Sequence, residues 1–572
     1  HLSFDGIFGT HRFNYLAPDS PWLFFDGRAN AFLISPLSHF GVAALSMGGQ
    51  EQIRSGISPA IKTLPAGFTH QTILVIERGI NKAFETWGQA ITGLYGKTRP
   101  ANDADVVLDR LGYWTDAGAA YYYRFEEALG YEGTLLAVRD DFARAGIALG
   151  YLQLDSWFYP KGPLGAWEDF TGGIHEYVAH PSLFPRTLAS FRERLGLPLI
   201  THARWIDPAS PYRRRYEFSG NVSTDPLYWD NLAAYLREAG VASYEQDWLG
   251  AQAQPALAVQ HLSAFTGQMA RALREQGISI QYCMPAPRHF LQTARYDNVT
   301  TIRVSEDRFD RNRWDEFLYG SRLASALGVW PWSDVFRSTE RDNTLLSTLS
   351  AGPLGVGDPI GGLDRDNLLR AVRPDGVIVK PDVAIVPLDQ SILDEVQAQD
   401  RPMVAAASTD FEGLRFSYVF AYPRGRETLA AFTPDSLGLT RPAYVYNYFT
   451  GEGRLMEAGE SVQVSLADGS AYYIVAPIGD SGIAFLGDAG HFVSVGKKRI
   501  PRLSDTGTLE VTVAFARGEK VRVVRGYAPS APSASVVRGA AGPLVYDPST
   551  RLFRVEVSAD EGLSAVLRLK LR

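Results

Sequence analysis

The chain is poor in cysteine, in long apolar runs and in excess charge. Its 572 residues contain one cysteine, Cys283, so no internal disulfide forms. Cys283 lies in the apolar run "ISIQYCMP", which indicates a buried structural thiol rather than a nucleophile. No apolar run approaches the length of a membrane span. The net charge of -7 is small for this length, so we expect neither a nucleic-acid nor a membrane partner.

Motifs that bind phosphate groups or metal ions are also missing. The stretch "GPLGVGDPIGG" is rich in glycine but lacks the Lys-Ser/Thr pair of a phosphate loop, which favours a tight strand and turn. In "HEYVAH" the two histidines are five positions apart rather than four, so they would not share one face of a helix. We therefore predict no cofactor and no metal.

The two ends of the chain show the pattern of β domains. Residues 1–105 contain short apolar stretches broken by turn signals, with one helix predicted in "INKAFETWGQAITGLYG". This predicts an N-terminal β-sandwich-like domain. Residues 376–572 show short strands between turns and no helical pattern, which predicts a C-terminal β-sandwich region of one or two subdomains.

The middle of the chain, residues 106–375, alternates apolar runs with amphipathic stretches. Eight such strand–helix units fit into about 270 residues, which is the count and size of a (β/α)₈ TIM barrel. A doubly wound sheet is the alternative from periodicity alone. The barrel is favoured because no glycine-rich dinucleotide turn follows the first strand.

Polar and aromatic side chains gather at the predicted strand ends, where barrel enzymes place their active sites. Six of the 11 tryptophans lie there, beside carboxylates and arginines. Tryptophan stacks on a sugar ring and charged groups hydrogen-bond its hydroxyls, so the pattern indicates a carbohydrate site. The candidate substrate-binding residues are Trp114, Asp116, Asp155, Trp157, Trp205, Glu245, Trp248, Arg303, Trp332 and Asp358. His202, Arg204 and Asp334 also fall at strand ends.

Asp247 and Asp307, on the fourth and sixth strands, are the best pair for glycoside hydrolysis. One carboxylate attacks the anomeric carbon or activates water, and the other protonates the leaving oxygen. Arg303 precedes Asp307 by four residues, so both would face the same way on a strand. Helix caps or surface ion pairs are the alternative explanation for such carboxylates taken singly.

Five motifs in order resemble glycoside hydrolase family 36, most closely its raffinose synthase and alkaline α-galactosidase branch. They are "LGYWTDAGAAYYY", "LQLDSWFYPKG", "YEQDWLG", "IRVSEDRF" and "GPLGVGDPIG". The family belongs to a clan of retaining α-glycosidases that it shares with families 27 and 31. The resemblance covers the barrel, and "RPDGVIVKP" after it resembles the entry into the family's C-terminal β domain.

The resemblance implies roles for individual residues. Asp247 falls on the family's nucleophile, and Asp307 falls on its acid/base. Asp116 and Asp155 match positions that hold substrate hydroxyls, and Trp114 matches a wall of the pocket. Glu306 is the rival for the acid role, but its side chain is expected to point to the opposite face of the strand.

Two departures from the family pattern lie in the sugar pocket. Glu245 stands where the family usually has a lysine that contacts sugar hydroxyls. The paired aspartates after the second strand become Asp155 and Ser156. A changed hydroxyl pattern is therefore expected, and galactose specificity stays open.

The expected function is that of an exo-acting retaining α-glycoside hydrolase, α-galactosidase-like or α-glucosidase-like. Asp247 would be ionised, and apolar surroundings and nearby negative charge would keep Asp307 protonated near neutral pH. Trp205, Trp248 and Trp332 are the expected stacking platforms. A transglycosylase of the raffinose-synthase type is the close alternative. A non-catalytic carbohydrate-binding protein and an unrelated barrel lyase or isomerase are more distant ones.

The expected partner is a carbohydrate substrate. The chain begins at His1 rather than Met, and with such a substrate this favours a periplasmic or extracellular location over a cytoplasmic one. The sequence predicts neither the sugar, nor the linkage, nor the oligomeric state.

Overall fold

The computed structural model describes residues 1–49, 52–398 and 400–571. Its centre is a parallel sheet of eight strands, in which the first seven strands are adjacent in chain order and the eighth pairs with the first. A parallel bridge between Phe336 and Val356 joins the segment after the seventh strand to the eighth. The strands are β1 (Gly112–Trp114), β2 (Tyr151–Leu154), β3 (Leu199–Ala203), β4 (Val241–Gln246), β5 (Ser279–Tyr282), β6 (Val299–Arg303), β7 (Trp330–Trp332) and β8 (Gly355–Val356). The predicted barrel is confirmed.

A helix follows each barrel strand, as the alternating pattern predicts. Capping side chains set several helix starts: Thr187 accepts a hydrogen bond from Ser190 N–H, and Asp225 from Leu227 N–H. The helices are Gly130–Arg144, Leu188–Leu195, Pro226–Glu238, His261–Glu275, Pro287–Thr293, Trp314–Ala326, Arg341–Leu349 and Arg365–Leu368, with the short helix Val106–Asp109 before β1. Short 3₁₀ helices lie at Ile7–Gly9, Ser156–Phe158, Pro211–Arg214, Arg311–Arg313 and Asp435–Leu437.

The glycine-rich stretch around β8 is the tight strand and turn that its sequence predicts. A Cβ atom on Gly355 would lie 2.0 Å from Cε2 of Trp114. Only glycine therefore allows β8 to pass this tryptophan of β1 at the observed distance. A small hairpin, Phe218–Ser219 with Val222–Ser223, lies in the loop after β3.

The N-terminal region is an antiparallel β structure with a helix. Its five-stranded sheet runs in the order Thr10–Phe13, Leu2–Asp5, Trp22–Phe25, Asn30–Pro36 and Thr72–Arg78. A ribbon, Ala43–Met47 with Ile53–Ile57, packs on this sheet through Leu45, which contacts Trp22 and Ile34. The predicted helix spans Ile80–Tyr95.

The C-terminal region contains two groups of antiparallel strands. The first is a six-stranded sheet, Val383–Pro387, Met403–Phe411, Leu414–Tyr422, Ala471–Pro477, Ala443–Asn447 and Gly453–Met456, with the pair Leu429–Phe432 and Val462–Ser465. The second has a five-stranded sheet, Ala484–Asp488, Arg522–Tyr527, Leu552–Ser558, Ala540–Ala541 and Val545–Asp547, and a four-stranded sheet, Arg502–Asp505, Leu509–Ala514, Ser564–Lys570 and Ser533–Arg538.

One expectation for the C-terminal region is wrong, because a helix spans Asp389–Gln397. Its buried residues, Ser391, Ile392 and Glu395, recur at helical spacing in a segment that is otherwise polar.

By contacts, residues 1–144, 149–337 and 353–363 form one compact unit, and residues 145–148, 338–352 and those from 364 onward form a second. The predicted domain boundaries stay a prediction. Within the described residues, no helix combines the length and apolarity that crossing a membrane requires.

Candidate active site

Asp247 follows directly on β4, and its side chain is 12% exposed. Its Oδ1 atom accepts a hydrogen bond from the Trp248 N–H at 2.6 Å, and its Oδ2 atom lies 2.9 Å from Nε2 of His202. Burial by itself raises the pKa of Asp247. The hydrogen bond and charge of His202, the charge of Arg303 and a hydrogen bond with the Cys283 thiol outweigh it and lower that pKa to about 2. Asp247 is therefore a buried but ionised carboxylate.

His202 is the buried cation that holds Asp247 in this state. Burial lowers the pKa of His202, but the negative charges of Asp155 and Asp247 outweigh burial and raise it. The Nε2 atom lies 3.9 Å from Oδ2 of Asp155, and Nδ1 lies 3.1 Å from the Tyr159 hydroxyl. A protonated imidazole donates at both nitrogens, so Tyr159 and Asp247 fix the ring from opposite edges.

Glu245 faces the barrel interior two residues before Asp247 and is fully buried. The Nε2 atom of Gln153 donates to Oε2 of Glu245 at 2.7 Å and to Oδ1 of Asp116 at 3.2 Å. Burial, with the negative charges of Asp247 and Asp155, raises the pKa of Glu245 to about 8. Burial and the charge of Glu245 also raise the pKa of Asp116. A Glu245 carboxyl group that is neutral at pH 7 thus lies two residues from the ionised Asp247.

Arg303, the last residue of β6, joins two further carboxylates to the site. Its Nη2 atom donates to Oδ1 of Asp307 at 2.6 Å, and its Nη1 atom lies 3.2 Å from Oδ1 of Asp334. Burial raises the pKa of Asp334 to about 7, against the opposing charge of Arg303. The guanidinium also lies 4.8 Å from the ring centroid of Phe8, which the N-terminal segment brings to the barrel.

Asp307 and Glu306 have different partners, in line with the opposite directions expected for their side chains. The surroundings predicted for Asp307 are wrong. The strand ends at Arg303, so Asp307 lies in the following loop, and its side chain is 58% exposed beside a cation. Glu306 forms an ion pair with Arg313 on the 3₁₀ helix after the loop. Asp307 is thus the carboxylate of the two that lies against Arg303.

The tryptophans divide into a site pair and a core set. Trp205 and Trp248 meet edge to face at 4.8 Å, and the Arg204 guanidinium lies 5.3 Å and 5.8 Å from their rings. Trp114 and Trp332 are fully buried and meet at 5.4 Å within the barrel, so the expected roles of a pocket wall and a stacking platform do not match their position.

Trp157 is also a core residue rather than a substrate contact. It stacks on Tyr131 at 3.8 Å and on Phe184 at 6.1 Å, and its Nε1 atom donates to the Thr115 hydroxyl at 2.9 Å. Asp358 is buried, and its carbonyl accepts a hydrogen bond from Tyr113, whose ring packs on Phe142 on the outer side of β1. The contacts of Trp157 account for its position without a ligand, and the substrate contact of the Asp358 carboxylate stays a prediction.

His202, Tyr159 and Asp334 are not among the site residues predicted from the sequence. The signal for His202 and Asp334 was present, because both occupy strand ends with the same inward parity as the selected residues. Tyr159 lies in a loop, where no periodicity marks it. Among the described residues, no group of three or more His, Cys, Asp or Glu side chains is arranged to hold a metal ion.

No family model matches the sequence, and no curated protein sequence matches it. Solved structures that are similar include a family 27 β-L-arabinopyranosidase of Geobacillus stearothermophilus, at 16% identity and a TM-score of 0.48, covering 68% of this chain and 99% of that one. α-Galactosidase I of Mortierella vinacea is 12% identical with a TM-score of 0.42, covering 65% and 98%. An α-1,4-glucan lyase of Gracilariopsis lemaneiformis is 9% identical with a TM-score of 0.49, covering 95% and 74%. Because these similarities are low, membership of family 36 stays a prediction and the function is argued from the side chains.

Proposed function

We propose that the protein is an exo-acting retaining α-glycoside hydrolase with Asp247 as its nucleophile. One observation supports this most strongly: Asp247 is buried yet ionised through His202, while burial raises the pKa of its neighbours Glu245 and Asp334. Carboxyl groups whose pKa values are driven apart within one site are the mark of acid/base and nucleophile assignments. An enclosed carboxylate at the end of a barrel strand fits attack on a terminal sugar.

Asp307 acts as the acid/base in this proposal. In the first step an oxygen of Asp247 forms a bond to the anomeric carbon, the bond from that carbon to the leaving oxygen breaks, and the Asp307 proton moves to that oxygen. In the second step water attacks the anomeric carbon and gives its proton to Asp307, and the sugar leaves Asp247 with its configuration retained.

Two other features support a sugar as the substrate. Trp205 and Trp248 give the pocket aromatic surface directly beside the nucleophile. Asp116, Glu245 and Asp155 offer carboxyl oxygens for hydroxyl groups, and a neutral carboxyl both donates and accepts. The α configuration rests on the resemblance of the five motifs, and Glu245 in place of the family's lysine supports a changed hydroxyl pattern.

The test is hydrolysis of a panel of aryl α- and β-glycosides by the wild type and by Asp247→Ala. Release from an α-glycoside that the variant abolishes supports the proposal and names the sugar. Release from β-glycosides alone, or activity that survives in the variant, contradicts it.

A further inference from the structure

Three aromatic side chains from two loops form a surface that the proposed chemistry does not use. Tyr122 and Tyr123 lie in the loop after β1, and Phe170 lies in the loop after β2. The Phe170 ring centroid is 4.9 Å from that of Tyr123 and 5.7 Å from that of Tyr122. Phe170 is nevertheless 57% exposed, and both tyrosines are partly exposed. We call these three residues the aromatic rim.

Two buried basic side chains hold the loop after β2, which carries Phe170 of the aromatic rim. The Lys161 ammonium donates to the carbonyls of Ser156 and Trp167 at 2.6 Å and of Tyr159 at 3.2 Å, and it lies 5.1 Å from the Tyr123 ring. Nη1 of Arg204 donates to the carbonyls of Phe170 and of Gly172, both at 3.1 Å. Such fixation places an exposed phenyl ring in a defined position, which is what a preorganised ligand contact requires.

The aromatic rim is continuous with the candidate active site on its β1–β3 side. The Tyr123 hydroxyl lies 3.1 Å from the hydroxyl of Ser156, and Ser156 follows Asp155, which is the second carboxylate beside His202. Arg204, which holds Phe170, also lies over the rings of Trp205 and Trp248.

A ligand that leaves the pocket toward the rim would therefore meet aromatic faces and tyrosine hydroxyls together. Aromatic faces pack on the C–H faces of a sugar ring, while the hydroxyls hydrogen-bond its edges. An unselective apolar contact would not need the hydroxyls.

We propose that the aromatic rim binds the leaving-group saccharide, so that the enzyme acts on oligosaccharides rather than on glycosides of small alcohols. This inference rests on the proposed function, because the leaving group is defined by a glycosyl unit at Asp247. The rim contact holds the second sugar while the first lies in the pocket.

The test compares two substrates that share a glycosyl unit and differ in the leaving group. α-D-Galactopyranosyl fluoride with raffinose, and α-D-glucopyranosyl fluoride with maltotriose, provide the two pairs, since fluoride is too small to contact the rim. We expect Phe170→Ala to lower kcat/KM for the trisaccharide roughly 10-fold and to leave the fluoride within about 2-fold. Phe170→Tyr, which keeps the ring, is expected to restore the wild-type value.

Leu164→Ala is the matched control, because Leu164 lies in the same loop and is 91% exposed. It should change neither substrate. An equal loss on the trisaccharide and the fluoride with Phe170→Ala would overturn the inference, since it indicates a disturbed pocket. An unchanged trisaccharide value would overturn it as well.

Binding in an Asp247→Ala background separates this inference from the proposed function. Calorimetric titration with raffinose and with maltotriose is expected to show affinity that Phe170→Ala weakens roughly 10-fold. If the wild type cleaves neither fluoride while this dependence on Phe170 holds, the proposed function fails and the saccharide site stands. If neither trisaccharide binds, or binding ignores Phe170, the inference fails whatever the activity.

Discussion

The Nε2 atom of His202 lies 2.9 Å from Oδ2 of Asp247, and the His202 side chain is almost completely buried. The pair joins β3 to the end of β4. An ionised carboxylate in such surroundings costs several kcal/mol unless a partner compensates. His202 is that partner, and Tyr159 fixes its second nitrogen.

Replacing His202 should therefore alter the pH dependence of the reaction. The nucleophile reacts when ionised, and the acid limb of kcat/KM reports its pKa in the free enzyme. In His202→Phe the cation is gone and burial remains, so the pKa of Asp247 rises from about 2 toward or beyond its ordinary 3.8 and the acid limb moves to higher pH. A misplaced carboxylate should also lower kcat/KM about 10- to 100-fold.

His202→Gln is the matched variant, because its amide donates a hydrogen bond without charge. It should recover part of the lost rate and a smaller part of the shift in the acid limb. Profiles that superimpose for the wild type and His202→Phe would show that His202 does not position the nucleophile.

Asp307 and Glu306 are adjacent but should respond differently to substitution. Asp307→Ala removes the proton donor, so hydrolysis of a saccharide substrate should fall by roughly 10² to 10⁴. A nitrophenyl glycoside needs little proton transfer and should keep its first step, with azide restoring turnover. Glu306→Gln, which loses only the ion pair with Arg313, should stay within about 3-fold. The reverse order of effects would assign the acid role to Glu306.

Glu245 should make the folded state less stable as the pH rises. Its pKa is about 8 in the folded state and ordinarily 4.5, so between these values the folded state holds the extra proton. The stabilisation is complete below pH 4.5 and is lost as the pH rises through 8. Glu245→Gln stays neutral, so its free energy of unfolding should rise relative to the wild type from pH 5 to 8, by up to about 1.4 kcal/mol per pH unit.

Urea titrations at pH 5 and pH 8 measure this difference. Glu193→Gln, at an exposed position of the helix Leu188–Leu195, is the control and should give a difference that does not depend on pH. A flat difference for Glu245→Gln as well would mean that this carboxyl group is ionised in the folded protein throughout the range.

Trp157 should affect stability rather than substrate binding. Trp157→Phe keeps the stack on Tyr131 and Phe184 but loses the hydrogen bond to Thr115 and leaves a small cavity. We expect a loss of about 1–3 kcal/mol in the free energy of unfolding with KM unchanged. A raised KM at unchanged stability would return Trp157 to the substrate site. Thermal denaturation and initial-rate kinetics on the same preparations distinguish the two results.

The sequence predicts the barrel because its alternation of apolar runs and amphipathic helices is a local property, repeated eight times. The sequence also predicts Asp247 as a site residue, because a carboxylate directly after a buried strand has few structural explanations. The helix Asp389–Gln397 escaped prediction because it is short and mostly polar. Periodicity over nine residues barely separates it from a loop between strands.

Depth within the barrel could not be predicted from strand-end position alone. Trp114 lies two residues before Asp116, and Trp332 two before Asp334, so each shares the inward parity of its carboxylate but lies one layer deeper. The exposure of Asp307 depends on where β6 ends, and strand ends are the least certain part of any sequence-based assignment. The partner of Asp247 is His202 on β3, and a contact between two strands cannot be predicted from the sequence of either strand alone.

Trapping the glycosyl–enzyme tests whether Asp247 is a covalent nucleophile. The wild type is incubated with 5-fluoro-α-D-galactosyl and 5-fluoro-α-D-glucosyl fluorides, which slow the second step more than the first. Intact-protein mass spectrometry followed by peptide mapping locates the adduct. We expect one sugar per chain on Asp247 and none in Asp247→Ala. An adduct on Glu245, Asp334 or Asp307, or glycoside turnover that proceeds without any adduct, would contradict it.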